Sequence, residues 1–586
     1  VALKAVPRLD LVIEGARIYD GSGRRPYVAD VGVKGDRIAA IGGLRESSSA
    51  RRVRADGLAL CPGFIDVHSH ADMTLVRPDH PAILEPLVRQ GITTFVGGNC
   101  GVAMAPVFPE HREEIFTFFD FFLGAPQEDK VRWQTFDQML SVCETQGVLL
   151  NAAFLAPHGI LRMNVMGDRN ETASPEDLRA MKRLLADCLE AGALGMSTGL
   201  MYFPGLASDS HELTELARVV HDHHGVFTSH LRSYNSDTMV QALDEVMGVC
   251  RAADVPLQVS HLFCIPNLPF PWDRLAHWAL VAGSRLYARF PLPIPIDGLL
   301  ASRMEKAFRA ADAGERIGFD AMPTSAGFTH LLAFFPPWAL QGGVRGMLDR
   351  LADPAQRAAI RRSIEQGDVA WPHRGRDSWS FNAFQVMGWD AAFIMSLTLP
   401  RNKHLEGRNL AQIGRETGRH PFDVACDLLV EEQGRVLVFE TVTWPGDPFV
   451  ERSVLGALKN PHVSIVTDTI LLGFGLPSHL FYDAYPRWLG TYARDRGVVS
   501  MEEAIRRATS LPAGQLGIRD RGRIEVGRYA DLVLFHERRL ASRSTAQDPV
   551  HFPEGIHSVF INGRAVVDPD GFHPEPRPGR ILRHGA

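Results

Sequence analysis

PGFIDVHSHAD, Pro62–Asp72, sets a short apolar run, Gly63–Val67, directly before a His-x-His pair. A run of that length, opened by Pro-Gly and closed by polar groups, reads as a strand buried on both faces, the habit of parallel sheets covered by helices. His68 and His70, two residues apart in an extended chain, point the same way, so both imidazoles can grip one ion. A lone histidine is more often a satisfied structural residue; a pair at a strand's end reads as ligands.

Seven further runs share this character: Ile92–Val96, Leu149–Leu155, Leu194–Ser197, Val226–Ser229, Leu257–Ser260, Ile317–Ala321 and Val463–Thr467. Helical patterns fit between them. Ser174-Pro-Glu-Asp177, for instance, is a capping signal that opens EDLRAMKRLLADCLEAG. Eight strands alternating with helices predict an α/β fold, a distorted (β/α)8 TIM barrel, whose working groups belong at the C-terminal strand ends. The residues at those ends are His68 and His70, then Cys100 in FVGGNCG, His230 in FTSHLR, His261 in QVSHLF and Asp468 in SIVTDTI. Imidazoles, a thiol and a carboxylate converge on one rim. A carboxylate there can ligate a metal and exchange a proton with water and a leaving group. By contrast His221, His223 and His224 in VVHDHHGVF fall on a helix end and read as solvated.

The two ends of the chain read differently. Residues 9–60 and the stretch from about Gly522 alternate around Gly-rich turns, which predicts short strands that pair into one small β-sandwich. The expected domains are 1–60 and 516–586 for the two parts of the sandwich and 61–515 for the barrel. Roughly 140 residues separate Ala321 from Val463, too many for a connection, so an inserted subdomain is expected at about 328–460.

Apolar residues make up 45% and charged residues 22% of the 586, with a net charge of -6. That is an ordinary globular composition, and scattered Lys and Arg without a basic stripe argue against a nucleic-acid partner. No apolar stretch reaches membrane-spanning length, and VALKAVPRLD lacks the apolar core of a signal peptide, so a cytoplasmic protein without a membrane partner is expected. The seven Cys are irregularly spaced and predict no disulfide framework.

PGFIDVHSHAD, GITTFVGGNCG, APHGILRMNVMG, EAGALGMSTGLMYFPG, SHLRSY, QVSHL, FFPPWALQGG, TSLPAGQLGIRDRGRIEVGRYADLVLF and DPVHFPEGIHSVFINGRAVVD, in this order, resemble the metal-dependent amidohydrolase superfamily. Within it they are similar to the N-acyl-D-amino-acid deacylases, or D-aminoacylases. The likeness covers nearly the whole chain. It implies one or two Zn2+ per chain, with Cys100, His230 and His261 forming the tighter site. His68, His70 and Asp468 would surround a weaker one, bridged by Cys100. It further implies hydrolysis of a linear amide by metal-bound hydroxide, with Asp468 as general base and acid, Tyr202 near the substrate oxygen and His158 orienting nearby groups. Many binuclear relatives bridge their metals with a carbamylated lysine at a strand's end. The seven lysines here, Lys4, Lys34, Lys130, Lys182, Lys306, Lys403 and Lys459, include none at such a place. This disfavours the alternative of a cyclic-amide hydrolase, and the complete ligand set disfavours a non-catalytic scaffold.

The resemblance breaks at the substrate. Deacylases of this group usually carry a lysine two positions past the strand-six histidine, and a Tyr-Pro-Tyr segment after strand seven, to hold a free carboxylate. Here these are Phe263 and Asp320-Ala-Met322-Pro-Thr324. A buried carboxylate without donors loses charge-assisted hydrogen bonds of about 1.5–3 kcal/mol each. A hydrophobic small-molecule amide is therefore expected as substrate, unless Arg232 or an arginine of the insertion replaces the lost anchors. The loops FCIPNLPFPW and LYARFPLPIPIDGLL read either as core or as an apolar wall beside the site. FFDFFLG, Phe118–Gly124, reads as packing or as the interface of a homo-oligomer.

Overall fold

All eight expected strands form in the computed structural model, which describes residues 8–585 apart from 126, 129–130, 266–272, 291–297, 299–300, 367–378, 380–381, 442 and 445. They are β1 (Phe64–Asp66), β2 (Ile92–Gly97), β3 (Asn151–Phe154), β4 (Gly195–Gly199), β5 (Val226–His230), β6 (Leu257–Val259), β7 (Ile317–Ala321) and β8 (Val463–Ile465). Neighbours pair in parallel from β1 to β3 and from β4 to β8. Hydrogen bonds also cross both seams. Leu194 N–H donates to Phe154 O at 2.8 Å between β3 and β4, and Asp468 N–H donates to His68 O at 2.9 Å beside the Ser69–Thr469 bridge between β8 and β1. Every residue of these strands is buried except Ile317, which is half-buried, as in strands covered on both faces. The helix Pro175–Glu190 starts at the expected capping box, Ser174 with Asp177.

The terminal segments do meet. Ala59–Pro62 pairs antiparallel with Leu532–Phe535, which merges N- and C-terminal strands into one nine-stranded sheet. Its alternating residues bury Leu11, Ile13, Ile18, Val31, Leu532, Leu534 and Phe560 in a separate core. A buried polar cluster fastens this sheet to β3: Asp531 accepts from Arg521, from Asn151 Nδ2 at 3.2 Å and from Asn562 N–H at 2.7 Å.

The long connection between β7 and β8 carries a three-stranded antiparallel sheet. Leu437–Glu440 is its central strand, flanked by Gly327–His330 and Ala392–Ser396. The register sets Gly327 opposite Glu440 and His330 opposite Leu437. Most of FCIPNLPFPW and about half of LYARFPLPIPIDGLL lie outside the described residues. FFDFFLG belongs to the helix Arg112–Leu123, whose Phe118, Phe119, Phe121 and Phe122 are all buried within the chain, so it is core and no interface is needed to cover it. Among the described residues no helix is long and apolar enough to cross a membrane.

Candidate metal centre

The six residues read from the strand ends converge. Past β2 the chain turns through Gly98, Cys100 and Gly101, all at positive φ. Gly98 is required there, since a Cβ would lie 2.3 Å from Leu155 O. Cys100 at φ 54°, His261 at φ 31° and Asp468 at φ 53° adopt a conformation that non-glycine residues rarely accept. Half of the cluster thus sits on strained backbone, as is usual where side chains must be aimed.

Cys100 Sγ lies 3.2 Å from His68 Nε2, 3.6 Å from His261 Nε2 and 3.7 Å from His230 Nδ1. Asp468 Oδ1 is 3.3 Å from His68 Nε2 and 3.5 Å from His70 Nε2. Two overlapping groups of metal-ligand spacing result: His68, Cys100 and His261, and His68, His70 and Asp468. The second group is the expected one. In the first, His68 stands closest to the thiol and His230 at its edge. Behind them Asp320 positions the ring: its Oδ1 accepts His261 N–H at 2.6 Å and lies 3.5 Å from His68 Nδ1.

The electrostatics set two anionic groups among positively charged imidazoles. Burial alone would push the Cys100 thiol up, but the His68 charge and hydrogen bonds to the three imidazoles outweigh it and hold the group well below its ordinary value. Asp468 is likewise held low, with His68 and His70 overcoming the cost of burial. In turn, burial pulls His70 down, yet bonds to Asp468 and Cys100 raise it to about 9. A thiolate, a carboxylate and four imidazoles together suit a borderline-soft divalent ion, which would replace the imidazolium protons as the compensating charge. The described lysines stand elsewhere; Lys34, Lys182, Lys306 and Lys403 hold ion pairs away from the cluster.

Two small chambers flank the cluster, and His230, His261, Phe328, Thr329 and Asp468 line both. The first is walled by Met201, Tyr234, Phe263, Ile265, Met322 and Glu440. The second is walled by Phe122, Tyr202, His330, Leu437 and Ile470. Phe263 stacks on Tyr234, rings 4.6 Å apart and 7° from parallel, so it presents a fixed apolar face.

Of the residues expected to govern the substrate, Arg232, His158 and Thr324 are committed elsewhere, and the Tyr202 hydroxyl is bonded within the loop. Arg232 is buried, paired to both Glu245 oxygens at 3.0 Å and to Leu206 O and Ser208 O at 2.7 and 2.9 Å, so it cannot replace the lost carboxylate anchors. His158 bonds Glu212 at 2.7 Å, away from both chambers. Tyr202 does wall the second chamber, but its hydroxyl donates to Cys100 O at 2.8 Å and so holds the ligand loop. Thr324 is bonded to Glu451 at 2.7 Å.

The inserted sheet supplies what the sequence did not disclose: it roofs both chambers with Phe328, Thr329, His330, Leu437 and Glu440. His330 Nδ1 accepts Ala333 N–H at 3.1 Å, which leaves the proton on Nε2, and that donor is buried with no partner among the described residues. Burial lowers His330 to about 3, so the ring stays neutral. Burial also raises Glu440 to about 7.

Gly199, at the end of β4, is the tightest point behind the thiol. A Cβ there would lie 2.3 Å from Cys100 O and 2.6 Å from the Tyr202 hydroxyl. Gly199→Ala should therefore destabilise the fold by about 1–3 kcal/mol and lower metal content, because the Tyr202–Cys100 bond has to give way. Thermal unfolding beside elemental analysis checks both.

A model of the amidohydrolase family matches residues 53–261 and 434–567. The chain is 28% identical to a D-aminoacylase of Alcaligenes xylosoxydans xylosoxydans over 98% of each protein. It is 30% identical to an N-acyl-D-glutamate deacylase of the same organism, covering 99% of this chain and 97% of that protein. Among solved structures, a D-aminoacylase crystal structure superposes with a TM-score of 0.72 at 28% identity, covering 98% of this chain and all of that one. An N-acyl-D-glutamate deacylase from Bordetella bronchiseptica, complexed with zinc and a phosphonate mimic of the tetrahedral intermediate, does so at 0.73 and 26%, with the same coverage. The family match spans seven of the eight strands and all six clustered residues, skipping β7 and most of the insertion that roofs the site: the chain belongs to the amidohydrolase family, and within it to the group of the D-aminoacylases.

Proposed function

We propose that this protein is a zinc-dependent hydrolase of linear amide bonds whose substrate is a hydrophobic amide. The observation that carries the reading is the convergence of His68, His70, Cys100, His230, His261 and Asp468 at one set of strand ends, with the thiol at its centre. We read β1–β8 as a distorted (β/α)8 barrel within 61–515, and the terminal sheet as a small β-sandwich of 1–60 and 516–586. The seven cysteines, all free, suit the reducing cytoplasm.

When bound, zinc supplies Lewis-acid polarisation of the carbonyl and acidifies water. The chain's own residues do the rest. Asp468, facing both chambers, takes the proton of the attacking water and returns it to the departing nitrogen. The chambers hold the two halves of the amide on either side of it. His330 Nε2–H offers a fixed donor on one side, and the aromatic walls exclude water. A lysine-bridged cyclic-amide hydrolase finds no support in the positions of the described lysines.

A substrate panel tests this. Zinc-loaded enzyme should hydrolyse neutral aryl or alkyl amides with kcat/KM at least about 100-fold above matched N-acyl-D-amino acids, since a free carboxylate finds no charge-assisted donor. Strong preference for the free acids would overturn the hydrophobic-amide reading.

A further inference from the structure

We infer that the chamber beside Phe263 recognises a protonated amine, or an equivalent hydrogen-bond donor, carried on an apolar substrate half, and that Glu440 is the residue that reads it. The inference rests on the amide-hydrolase reading above and names the substrate class of that site.

Glu440 ends the central strand of the inserted sheet, directly across from Gly327. The glycine is what admits it: a Cβ at 327 would lie 2.8 Å from Glu440 Oε1 and 3.2 Å from its Cγ. The carboxyl therefore lies against bare backbone and borders the chamber. Its Oε2 is buried and has no hydrogen-bond partner among the described residues. Buried carboxyl oxygens are ordinarily bonded, and one left unsatisfied in a substrate chamber keeps a desolvation penalty that a ligand's donor would relieve.

Nothing else in the chamber answers that group. Its described walls hold no lysine or arginine, and the closest candidate from the sequence, Arg232, is closed off by Glu245 and two carbonyls. Apart from Thr329 and the cluster's own His230, His261 and Asp468, the walls are apolar: Phe263 on Tyr234, Met322, Met201, Ile265 and Phe328. They suit an alkyl or aryl body, and the aromatic faces also favour a cation. A carboxylate in the same place would meet Glu440 and Asp468, with no lysine or arginine among the described walls to offset them.

The experiment uses zinc-loaded enzyme and three N-acetyl amides of one alkyl chain that end in ammonium, methyl or carboxylate, with a second set carrying the same ends on the acyl half. In one of the sets KM for the ammonium compound should be about tenfold or more below that of the methyl compound, the worth of a charge-assisted hydrogen bond. The carboxylate compound should be the poorest. Glu440→Gln should bring the ammonium-to-methyl KM ratio close to one. Preference for carboxylate, or an equal loss on all compounds in Glu440→Gln, overturns the assignment. If no compound is hydrolysed, the amide-hydrolase reading has failed separately. Calorimetric binding of the same compounds to wild type and Glu440→Gln then decides the Glu440 question: equal affinities for the ammonium compound overturn it, and a loss confined to that compound supports it.

Discussion

Cys100→Ala should leave a folded protein that has lost most of its metal and its activity. Removing a group that only orients a ligand typically costs 10–100-fold in metal affinity, so removing a direct ligand should cost more than about 100-fold. Cys100 is more than one candidate ligand among six. Its Sγ is within 3.7 Å of three imidazoles, and its charge is what holds His68 well above the ordinary histidine range against the opposing effect of burial. With the thiolate gone, Asp468 alone would balance a divalent ion. Cys100→Ser keeps the shape but offers a hydroxyl that stays protonated near neutral pH, and should recover little. Alanine carries the same Cβ as cysteine, so the φ of 54° brings no new backbone strain, and unfolding should shift modestly. Zinc content by elemental analysis and kcat/KM on the best amide check this together. Stoichiometric zinc with wild-type activity in Cys100→Ala would show that the thiol is only core.

Much of this site was legible because its chemistry is local in sequence. Each candidate ligand sits at the end of a strand or within four residues past it, and strand, turn and ligand lie within one short stretch such as PGFIDVHSHAD. Position alone, however, did not disclose partners. Tyr202 and Arg232 stand where substrate residues were expected, but whether a hydroxyl or guanidinium is free depends on neighbours brought in from elsewhere: Cys100 O for one, Glu245, Leu206 O and Ser208 O for the other. The roof was illegible for a related reason. Glu440 closes LVFE, a strand like many others, and only the pairing of Gly327 with Glu440 across an insertion brings its carboxyl to the chamber. Nor does any residue type announce that Cys100, His261 and Asp468 take positive φ. Glycine is the usual signal for that conformation, and function has overruled it at all three.

Asp468→Asn should separate proton transfer from metal binding. If Asp468 carries the water's proton to the leaving nitrogen, its removal should lower kcat by about 10²- to 10⁴-fold, the usual contribution of a positioned general base and acid. Asparagine is the right replacement for three reasons. It is nearly isosteric; it tolerates φ near 53° better than alanine would, because its short polar side chain favours the left-handed region; and it keeps the Asp468 N–H bond to His68 O at 2.9 Å that joins β8 to β1. Stability should therefore change little. The lost negative charge acts on the two imidazoles it supports: His70, held at about 9 in part by Asp468, should fall toward its ordinary value. Zinc at the group of His68, Cys100 and His261 should be retained, since these three have ligand spacing without the carboxylate. A kcat within about tenfold of wild type, with zinc in place, would mean that another group moves the proton. Glu440, the other carboxyl facing the same chamber, would then be the residue to substitute next.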